Sequence, residues 1–223
     1  MQYLYHKEAG LSTLELNREQ HNYIFKVRRH RADDKIYLRN LRDDILYSYE
    51  VESLNRRDST LRLTSQREYI VSAKRDLHIG WCIIEPKSIY KVLPMLNEMG
   101  LSKITFIYCN RSQRSFTIDF DKLEKILINS SQQSGRSRLM EIDTKDSLED
   151  FIEDNPDTYM VNFSDNILNS NIDIESVVIG CEGGFSDNEV KLFNKDNIIG
   201  FDTPLILKSE SAISSIASRV LLF

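Results

Sequence analysis

Hydrophobic and polar positions alternate over short segments in the first 75 residues of the chain. Lys35–Asn40, Leu46–Leu54 and Thr60–Thr64 are rich in β-branched and aromatic residues, and turn-prone polar residues separate them. Strands this short and this closely spaced predict a small barrel or a curled sheet. Arg18–Lys26 is compatible with one helical segment within it, and the polar stretch Arg67–Asp76 with a linker.

From Asp76 onward the pattern changes to strands that alternate with helices. Leu77–Ile84 is a nearly continuous apolar run, typical of a strand that a parallel sheet buries on both faces. Ser88–Gly100 has the apolar spacing of one helix face, and Gly100 is placed to end that helix. Further strands are predicted at Lys103–Cys109, Tyr159–Phe163, Val177–Gly180 and Ile198–Phe201, and further helices at Asp121–Ser131, Ser147–Asp154, Asp187–Asn194 and Glu210–Leu222. We therefore predict two domains, residues 1–72 and 73–223, of which the second is an α/β domain with a mostly parallel sheet.

The charge of the chain is unevenly distributed. The net charge of −5 over 223 residues, taken alone, argues against a nucleic-acid partner. Residues 1–75, however, hold 15 Lys and Arg against 11 Asp and Glu, whereas residues 76–223 hold 14 against 23. The basic part makes Lys26, Arg28, Arg29 and Arg57 candidates for contacts to an RNA backbone. A merely solvated surface would have the same pattern.

Several functional classes find no support in the sequence. No apolar run reaches the roughly 20 residues that cross a bilayer, and the N-terminus lacks the pattern of a signal peptide. Cys82, Cys109 and Cys181 are far apart and odd in number, which argues against a disulfide framework and favours the cytoplasm. The histidines share no metal-ligand spacing with these cysteines, so we expect no metal. No GxSxG elbow provides a nucleophile.

The strongest local signal is Val177–Ser186, where an apolar strand runs into a glycine-rich loop. Gly180, Gly183 and Gly184 allow the backbone to approach a ligand closely, and ligands bind beyond the carboxyl ends of strands in open α/β sheets. The spacing fits neither GxGxxG nor a Walker A loop. A ligand loop and a simple tight turn therefore both remain open, with Ser186 predicted to cap the next helix.

Two further segments have the composition of binding loops. In Gly200–Ala212 an apolar triplet precedes polar residues, and such a loop could hold a purine ring between apolar side chains. The alternative is a buried turn that Ser209 caps before the last helix. Ser130–Arg138 ends a helix with two arginines suited to phosphate or base-edge recognition, and its alternative is a solvated loop.

The three segments together resemble one known family. Gln132–Arg136 is similar to its EQSxR helix end, Gly180–Glu189 to its GPEGGFSxxE loop, and Phe201–Ala212 to its LGxRILRxETA segment. The chain thus resembles the ribosomal RNA small subunit methyltransferase E family of the SPOUT superfamily. It departs from the family pattern with Cys181 in place of a proline in the glycine-rich loop, and at Phe201-Asp202, Pro204 and Lys208 in the later segment.

The resemblance implies both a fold and a reaction. It implies a SPOUT-type C-terminal domain with a trefoil knot and a small N-terminal PUA-like β-barrel. It implies S-adenosylmethionine as cofactor, 16S rRNA or the small ribosomal subunit as partner, and methylation of a uridine at N3. It also implies a homodimer whose site is completed across the interface. From the sequence itself we expect a cytoplasmic protein that binds no membrane and no metal.

Residue roles follow from the resemblance and from the chemistry of uridine. The loops after three strands would surround one bent cofactor molecule, so the cofactor-binding candidates are Asn162, Gly180, Glu182, Gly183, Gly184, Phe201, Leu205, Ile206 and Leu207. Uridine N3 carries a proton in neutral water, and a nearby cation favours the anion, which makes Arg136 and Lys208 catalytic candidates. Glu210 is either a base or a residue that orders the loop. Two other functions stay open: a SPOUT enzyme acting on another RNA or base atom, and a non-catalytic RNA-binding protein with a degenerate cofactor loop.

Overall fold

The computed structural model describes residues 3–169 and 173–223. The chain divides into two compact units. The first consists of Met1–Ser72 together with Ile128–Leu139, and the second of Ala73–Leu127 together with Met140–Phe223. A segment from the middle of the chain thus belongs to the N-terminal unit.

The first unit is built on a five-stranded sheet. Its strands are β1 (Leu4–Tyr5), β2 (Thr13–Leu16), β3 (Ile36–Arg39), β4 (Ile45–Leu54) and β5 (Ser59–Glu68), in the order β1-β3-β4-β5-β2. All neighbours pair antiparallel except β1 and β3. Alternate side chains of these strands, including Leu14, Ile36, Leu38, Tyr49 and Leu61, form a buried core. The predicted strands are confirmed, and the two short strands β1 and β2 were not predicted.

The predicted helix Arg18–Lys26 changes type partway along. Helix α1 (Arg18–His21) begins in a capping box, in which Asn17 and Gln20 bond each other's backbone N–H groups. It continues as a π-helix, Asn22–Val27, in which the Arg28 N–H reaches back five residues to the Tyr23 carbonyl at 2.9 Å. The sequence was compatible with a helix but does not distinguish these two hydrogen-bond patterns.

The second unit contains a six-stranded sheet. Its strands are β6 (His78–Cys82), β7 (Lys103–Ile107), β8 (Glu141–Lys145), β9 (Tyr159–Val161), β10 (Ser176–Ile179) and β11 (Ile198–Ile199), in the order β11-β9-β10-β6-β7-β8. Every neighbouring pair is parallel, which confirms the predicted α/β class. The carboxyl ends of β9, β10 and β11 therefore lie side by side at one edge.

Five helices accompany the parallel sheet along the chain. They are α2 (Pro86–Met99), α3 (Phe120–Ser134), α4 (Leu148–Asp154), α5 (Asp187–Val190) and α6 (Ser209–Leu222). Gly100 ends α2 in the left-handed conformation with φ 98°, as its position predicted. Helix α5 is a single turn, shorter than the predicted Asp187–Asn194.

The cysteines contradict one sequence-based expectation. Cys82 and Cys109 are joined by a disulfide, although their spacing argued against a disulfide framework. Cys82 ends β6, and Cys109 lies two residues beyond the end of β7. Because these strands are parallel neighbours, their ends meet at the same sheet edge, which a sequence separation of 27 residues does not reveal. Cys181 is a buried free thiol.

The segment Ile128–Leu139 is attached to the first unit by its backbone and its side chains. The Tyr3 hydroxyl donates to the Arg136 carbonyl at 2.6 Å, and the Tyr5 N–H donates to Gln132 Oε1 at 2.9 Å. The Ser137 N–H donates to the Val71 carbonyl at 3.1 Å, and the Val71 N–H donates to Ser137 Oγ at 3.1 Å. The predicted arginine-containing helix end is therefore part of this unit.

Candidate active site

A cavity of about 630 Å³ lies at the carboxyl edge of the parallel sheet. This volume is within the range of small-molecule sites, which is about 300–1,000 Å³. Three loops, those that follow β9, β10 and β11, supply its walls, together with the first turn of α6. The cavity is thus formed where the ends of three neighbouring parallel strands meet.

The loop after β10 takes its shape from hydrogen bonds to its own carbonyl groups. The Gly184 N–H donates to the Cys181 carbonyl at 2.9 Å and closes a tight turn. Gly184 adopts φ 67°, in the left-handed region that favours a glycine. The carbonyl of Gly180 accepts the Ser209 hydroxyl at 2.5 Å. Hydrogen bonds within the chain therefore define the shape of this loop.

A capping box fixes the downstream end of this loop. The Ser186 N–H and hydroxyl both donate to Glu189 Oε2, at 2.7 and 2.8 Å, and the Glu189 N–H donates back to Ser186 Oγ at 3.3 Å. Glu189 is only 1% exposed, and its other oxygen accepts the Asn110 N–H at 2.8 Å. The predicted cap at Ser186 is confirmed.

The loops after β9 and β11 are bonded to each other. The Gly200 N–H donates to the Asn166 carbonyl at 2.9 Å, and the Ser164 hydroxyl donates to the Ile198 carbonyl at 2.9 Å. A Cβ on Gly200 would collide with the backbone carbonyl of Ser164. Only a glycine allows this close approach, so Gly200 sets the spacing between two walls of the cavity.

The mouth of the cavity carries exposed apolar side chains. Phe163 is 79% exposed, Leu205 is 72% exposed and Ile206 is 80% exposed, and all three line the cavity. Large apolar groups are costly to leave in water, and such patches mark ligand or protein contacts.

Comparison with known proteins identifies the family. The RNA methyltransferase domain family matches residues 72–221, and the RNA methyltransferase PUA domain family matches residues 16–64. A ribosomal RNA small subunit methyltransferase E from Helicobacter pylori is 36% identical over 98% of this chain and 98% of its own length. The chain belongs to the ribosomal RNA small subunit methyltransferase E family. The resemblance drawn from the three motifs is confirmed.

More distant relatives also match this chain over nearly its whole length. The ribosomal RNA small subunit methyltransferase E of Aquifex aeolicus is 24% identical over 99% of this chain and 100% of its own. The fold is that of the methyltransferase E of Neisseria gonorrhoeae, a structure bound to S-adenosylmethionine. The TM-score is 0.80 at 15% identity, with 98% of this chain and 96% of that one covered. The predicted SPOUT-type fold with a PUA-type N-terminal domain is thereby confirmed.

All nine residues predicted to hold the cofactor of this methyltransferase E family member line the one cavity. They come from the three loops, as Asn162, then Gly180, Glu182, Gly183 and Gly184, then Phe201, Leu205, Ile206 and Leu207. Phe185, Ser209 and Ala212 also line it, and none of them is among the predicted cofactor-binding residues. The alternative in which Ser209 caps the last helix is wrong, because Lys208 holds the N-cap position and the Ser209 hydroxyl donates to Gly180. This contact leaves no mark in the sequence pattern.

The three predicted catalytic residues are distributed over both units of the methyltransferase. Lys208 and Glu210 flank Ser209 at the start of α6, and neither lines the cavity. Glu210 Oε2 is buried and has no hydrogen-bond partner among the described residues. Arg136 belongs to the first unit, where its Nε donates to the Arg138 carbonyl at 2.9 Å. Burial lowers the pKa of the Arg136 guanidinium to about 10, so it remains charged at neutral pH.

The four predicted RNA-binding residues lie in two places in the PUA-type unit, at the end of the π-helix and in one turn. Lys26 belongs to the π-helix, and Arg28 and Arg29 follow it directly. Arg28 Nε donates to the Tyr23 hydroxyl at 3.1 Å, and its guanidinium lies over that ring at 5.4 Å from the centroid. Arg57 is exposed in the separate turn between β4 and β5.

Within residues 3–169 and 173–223, no group of His, Cys, Asp and Glu is arranged to hold a metal ion. Over the same described ranges, no helix has the length and apolar character needed to cross a membrane.

Proposed function

We propose that this chain transfers a methyl group from S-adenosylmethionine to N3 of a uridine in 16S rRNA. The observation that carries the proposal is the convergence of the nine predicted cofactor-binding residues, from three separate loops, on one cavity in a member of the methyltransferase E family. The names of its relatives support the rRNA substrate, and the motif resemblance supports the N3 atom.

The chemistry of the cavity fits S-adenosylmethionine. This molecule joins a purine and a ribose to a sulfonium and an amino-acid group, so it needs apolar walls and polar backbone in one site. The exposed Leu205 and Ile206 supply apolar surface, and the glycine loop supplies backbone without side chains. Gly180, Gly183 and Gly184 would hold the cofactor on one side and Phe201–Leu207 on the other. When bound, the cofactor supplies an electrophilic methyl group.

The residues of the chain must activate uridine N3 and position it. Its proton has to leave before N3 becomes a good nucleophile, and a neighbouring cation stabilises the resulting anion. We propose Arg136 and Lys208 for this role. Arg136 is supported by a guanidinium that stays charged despite its burial. Orientation of the two reactants should supply most of the acceleration.

Glu210 has two possible roles that experiment can separate. As a base it would accept the N3 proton. Its buried Oε2 has no hydrogen-bond partner among the described residues, so this oxygen is available to accept one. As an ordering residue it would hold the start of α6. Glu210→Gln removes the base but keeps the shape. A loss of methyl transfer with unchanged cofactor affinity identifies the base, and the reverse identifies the ordering role.

We extend the proposal to a homodimer that completes the site. The apolar stripe of α6 is already used within the chain, because Ile213, Ile216 and Ala217 are fully buried and α6 packs on α2. Four large apolar side chains remain exposed to solvent and support contact with a second copy of the chain, namely Phe163, Leu205, Ile206 and Phe223. Light scattering at micromolar concentration tests this, and a monomeric mass contradicts the shared site. The trefoil knot stays a prediction from the resemblance.

RNA binding is proposed for the PUA-type unit. Lys26, Arg28, Arg29 and Arg57 would contact phosphates there, because the residues before position 76 carry an excess of positive charge. Replacing one of them should weaken RNA binding and reduce its salt dependence. We propose a cytoplasmic location because ribosomal RNA is the proposed substrate.

The deciding experiment maps modified nucleosides in 16S rRNA from cells with and without the gene. Loss of one 3-methyluridine on deletion, and its return with the gene, is the expected result. Loss of a different modified nucleoside indicates another RNA or base atom. Calorimetry of the purified protein with S-adenosylmethionine tests the third possibility, because a non-catalytic RNA-binding protein with a degenerate loop would not bind the cofactor.

A further inference from the structure

The carbonyl groups of the glycine loop accept hydrogen bonds from several parts of the second unit. Ser209 bonds the carbonyl of Gly180, and the Cys181 thiol lies 3.7 Å from the carbonyl oxygen of Gly184. The carbonyl of Gly183 accepts a hydrogen bond from Arg111 Nη1 at 2.7 Å. This last donor is a charged group and comes from the turn after β7, so a neighbouring strand helps to hold the loop.

The backbone around Arg111 is itself fixed to the far end of the same loop. The adjacent Asn110 donates its backbone N–H to Glu189 at 2.8 Å and its side-chain amide to the Ser186 hydroxyl at 3.0 Å. Cys109, one residue earlier, is joined by its disulfide to Cys82 at the end of β6. The Arg111 side chain therefore extends from an anchored position.

Gly183 has no Cβ at the point where Arg111 crosses it. A Cβ there would lie 3.3 Å from Arg111 Cβ and 3.4 Å from Arg111 Cδ, which is tighter than ordinary van der Waals contact. Gly183 is not among the glycines with positive φ. A close approach of the arginine stem, rather than an unusual dihedral angle, is thus the reason for a glycine at this position.

We propose that Arg111 is a positioning residue for S-adenosylmethionine, acting through the carbonyl group of Gly183. This rests on the proposed function of the cavity. Gly183 lines the cavity and Arg111 does not, and Arg111 holds the Gly183 carbonyl by a charge-assisted hydrogen bond, which is stronger than a neutral one. Arg111 itself is exposed, so its removal opens no cavity in the core. The effect of losing it falls on ligand affinity rather than on global stability.

The test compares cofactor affinity in three variants of the full-length protein by calorimetry with S-adenosylmethionine. Arg111→Met keeps the aliphatic stem and removes the donor, and we expect it to weaken binding about tenfold, the cost of one hydrogen bond to a charged group. Arg111→Lys retains a charged donor and should recover part of the affinity. Arg114→Met is the matched control, because Arg114 bonds the Asp146 carbonyl at 3.3 Å and lies over the Tyr108 ring instead.

Thermal unfolding of the same variants separates a positioning role from a structural one. The expected result is an unchanged melting temperature in all three, with weaker binding in Arg111→Met and partial recovery in Arg111→Lys. Equal affinity of Arg111→Met and the parent protein overturns the inference. So does a loss of affinity that parallels a fall in melting temperature and is not rescued by lysine. If the parent protein fails to bind S-adenosylmethionine, it is the proposed function that is wrong, and the inference falls with it.

Discussion

The indole nitrogen of Trp81 donates a hydrogen bond of 2.8 Å to the hydroxyl of Ser209, 128 residues later in the chain. The Ser209 hydroxyl in turn donates a hydrogen bond to the carbonyl of Gly180 at 2.5 Å. Trp81 is fully buried on β6, so a side chain in the centre of the sheet determines where the first turn of α6 meets the glycine loop. These two hydrogen bonds, which share Ser209, join three segments that are remote in sequence.

We expect Ser209→Ala to destabilise the protein and to weaken cofactor binding. The change leaves the Trp81 N–H and the Gly180 carbonyl without their shared partner, and an unsatisfied buried group costs about 1–3 kcal/mol. Urea unfolding measures the loss, and calorimetry measures the affinity. The control is Ser214→Ala on the same helix, because Ser214 only bonds the Glu210 carbonyl within that helix. A similar effect of both changes would show that the hydrogen bonds of Ser209 to Trp81 and Gly180 are not the cause of the loss.

Glu189→Gln should also lower stability, for a different reason. The carboxylate accepts three hydrogen bonds, two from Ser186 and one from Asn110. An amide has one acceptor oxygen and two donor hydrogens, so at least one of these contacts would bring two donors together. We expect a loss of about 1–3 kcal/mol in the free energy of unfolding, measured in urea. Asp187→Asn, an exposed change in the same turn, should have little effect.

Reduction of the disulfide between Cys82 and Cys109 should destabilise the second unit. The bond closes a segment of 27 residues, and releasing it restores freedom to the unfolded chain worth about 3 kcal/mol. Thermal unfolding with and without a phosphine reductant measures the difference. The double variant Cys82→Ala/Cys109→Ala should show no dependence on the reductant. An equally insensitive parent protein would show that the two thiols are not bonded in solution.

The second unit should lose stability as the pH falls from about 6.5 to about 4. Burial, with a smaller contribution from the charge of Lys103, lowers the pKa of His78 from 6.5 to about 4. The unfolded chain therefore binds a proton in this window that the folded chain does not, so acid favours unfolding. Urea unfolding at several pH values should show a shallower dependence for His78→Gln than for the parent protein. Identical profiles would contradict this assignment.

Arg136→Ala should lower methyl transfer by about 100-fold if its charge stabilises the uridine anion, because single electrostatic contacts of this kind have such effects. Affinity for S-adenosylmethionine should be unchanged. Methyl incorporation into 16S rRNA and calorimetry measure the two quantities separately. Arg138→Ala is the control, since the Arg138 guanidinium is exposed and paired with Asp44 at 2.7 Å. Equal losses in both variants would remove Arg136 from the mechanism.

The elements that the sequence predicted are those in which burial determines composition. The strand β6 and the helix α2 were evident because a strand buried on both faces is apolar throughout and a helix on a sheet has one apolar face. The strand β8 was missed because an edge strand of sequence Glu141–Lys145 tolerates charges on alternate positions. Burial patterns identify central elements better than peripheral ones.

The sequence predicts the loops that form the cavity but not the hydrogen bonds that connect them. The glycines, the apolar triplet Leu205–Leu207 and the cap at Ser186 are local signals, and all of them were evident in the sequence. The hydrogen bonds from Arg111, Ser209 and Trp81 join residues that only the sheet order brings together. Side-chain contacts between non-adjacent segments leave no local periodicity, so they had to come from the structure.

Because Ile128–Leu139 belongs to the first unit, that unit cannot complete its folding early during translation. A domain whose residues are contiguous can finish folding soon after its last residue leaves the ribosome. Here Tyr3 and Tyr5 bond to Arg136 and Gln132, and Val71 bonds to Ser137, so the N-terminal unit lacks partners for these groups until residue 139 has been made. The first unit therefore completes its packing only after β6, α2 and β7 of the second have already been translated.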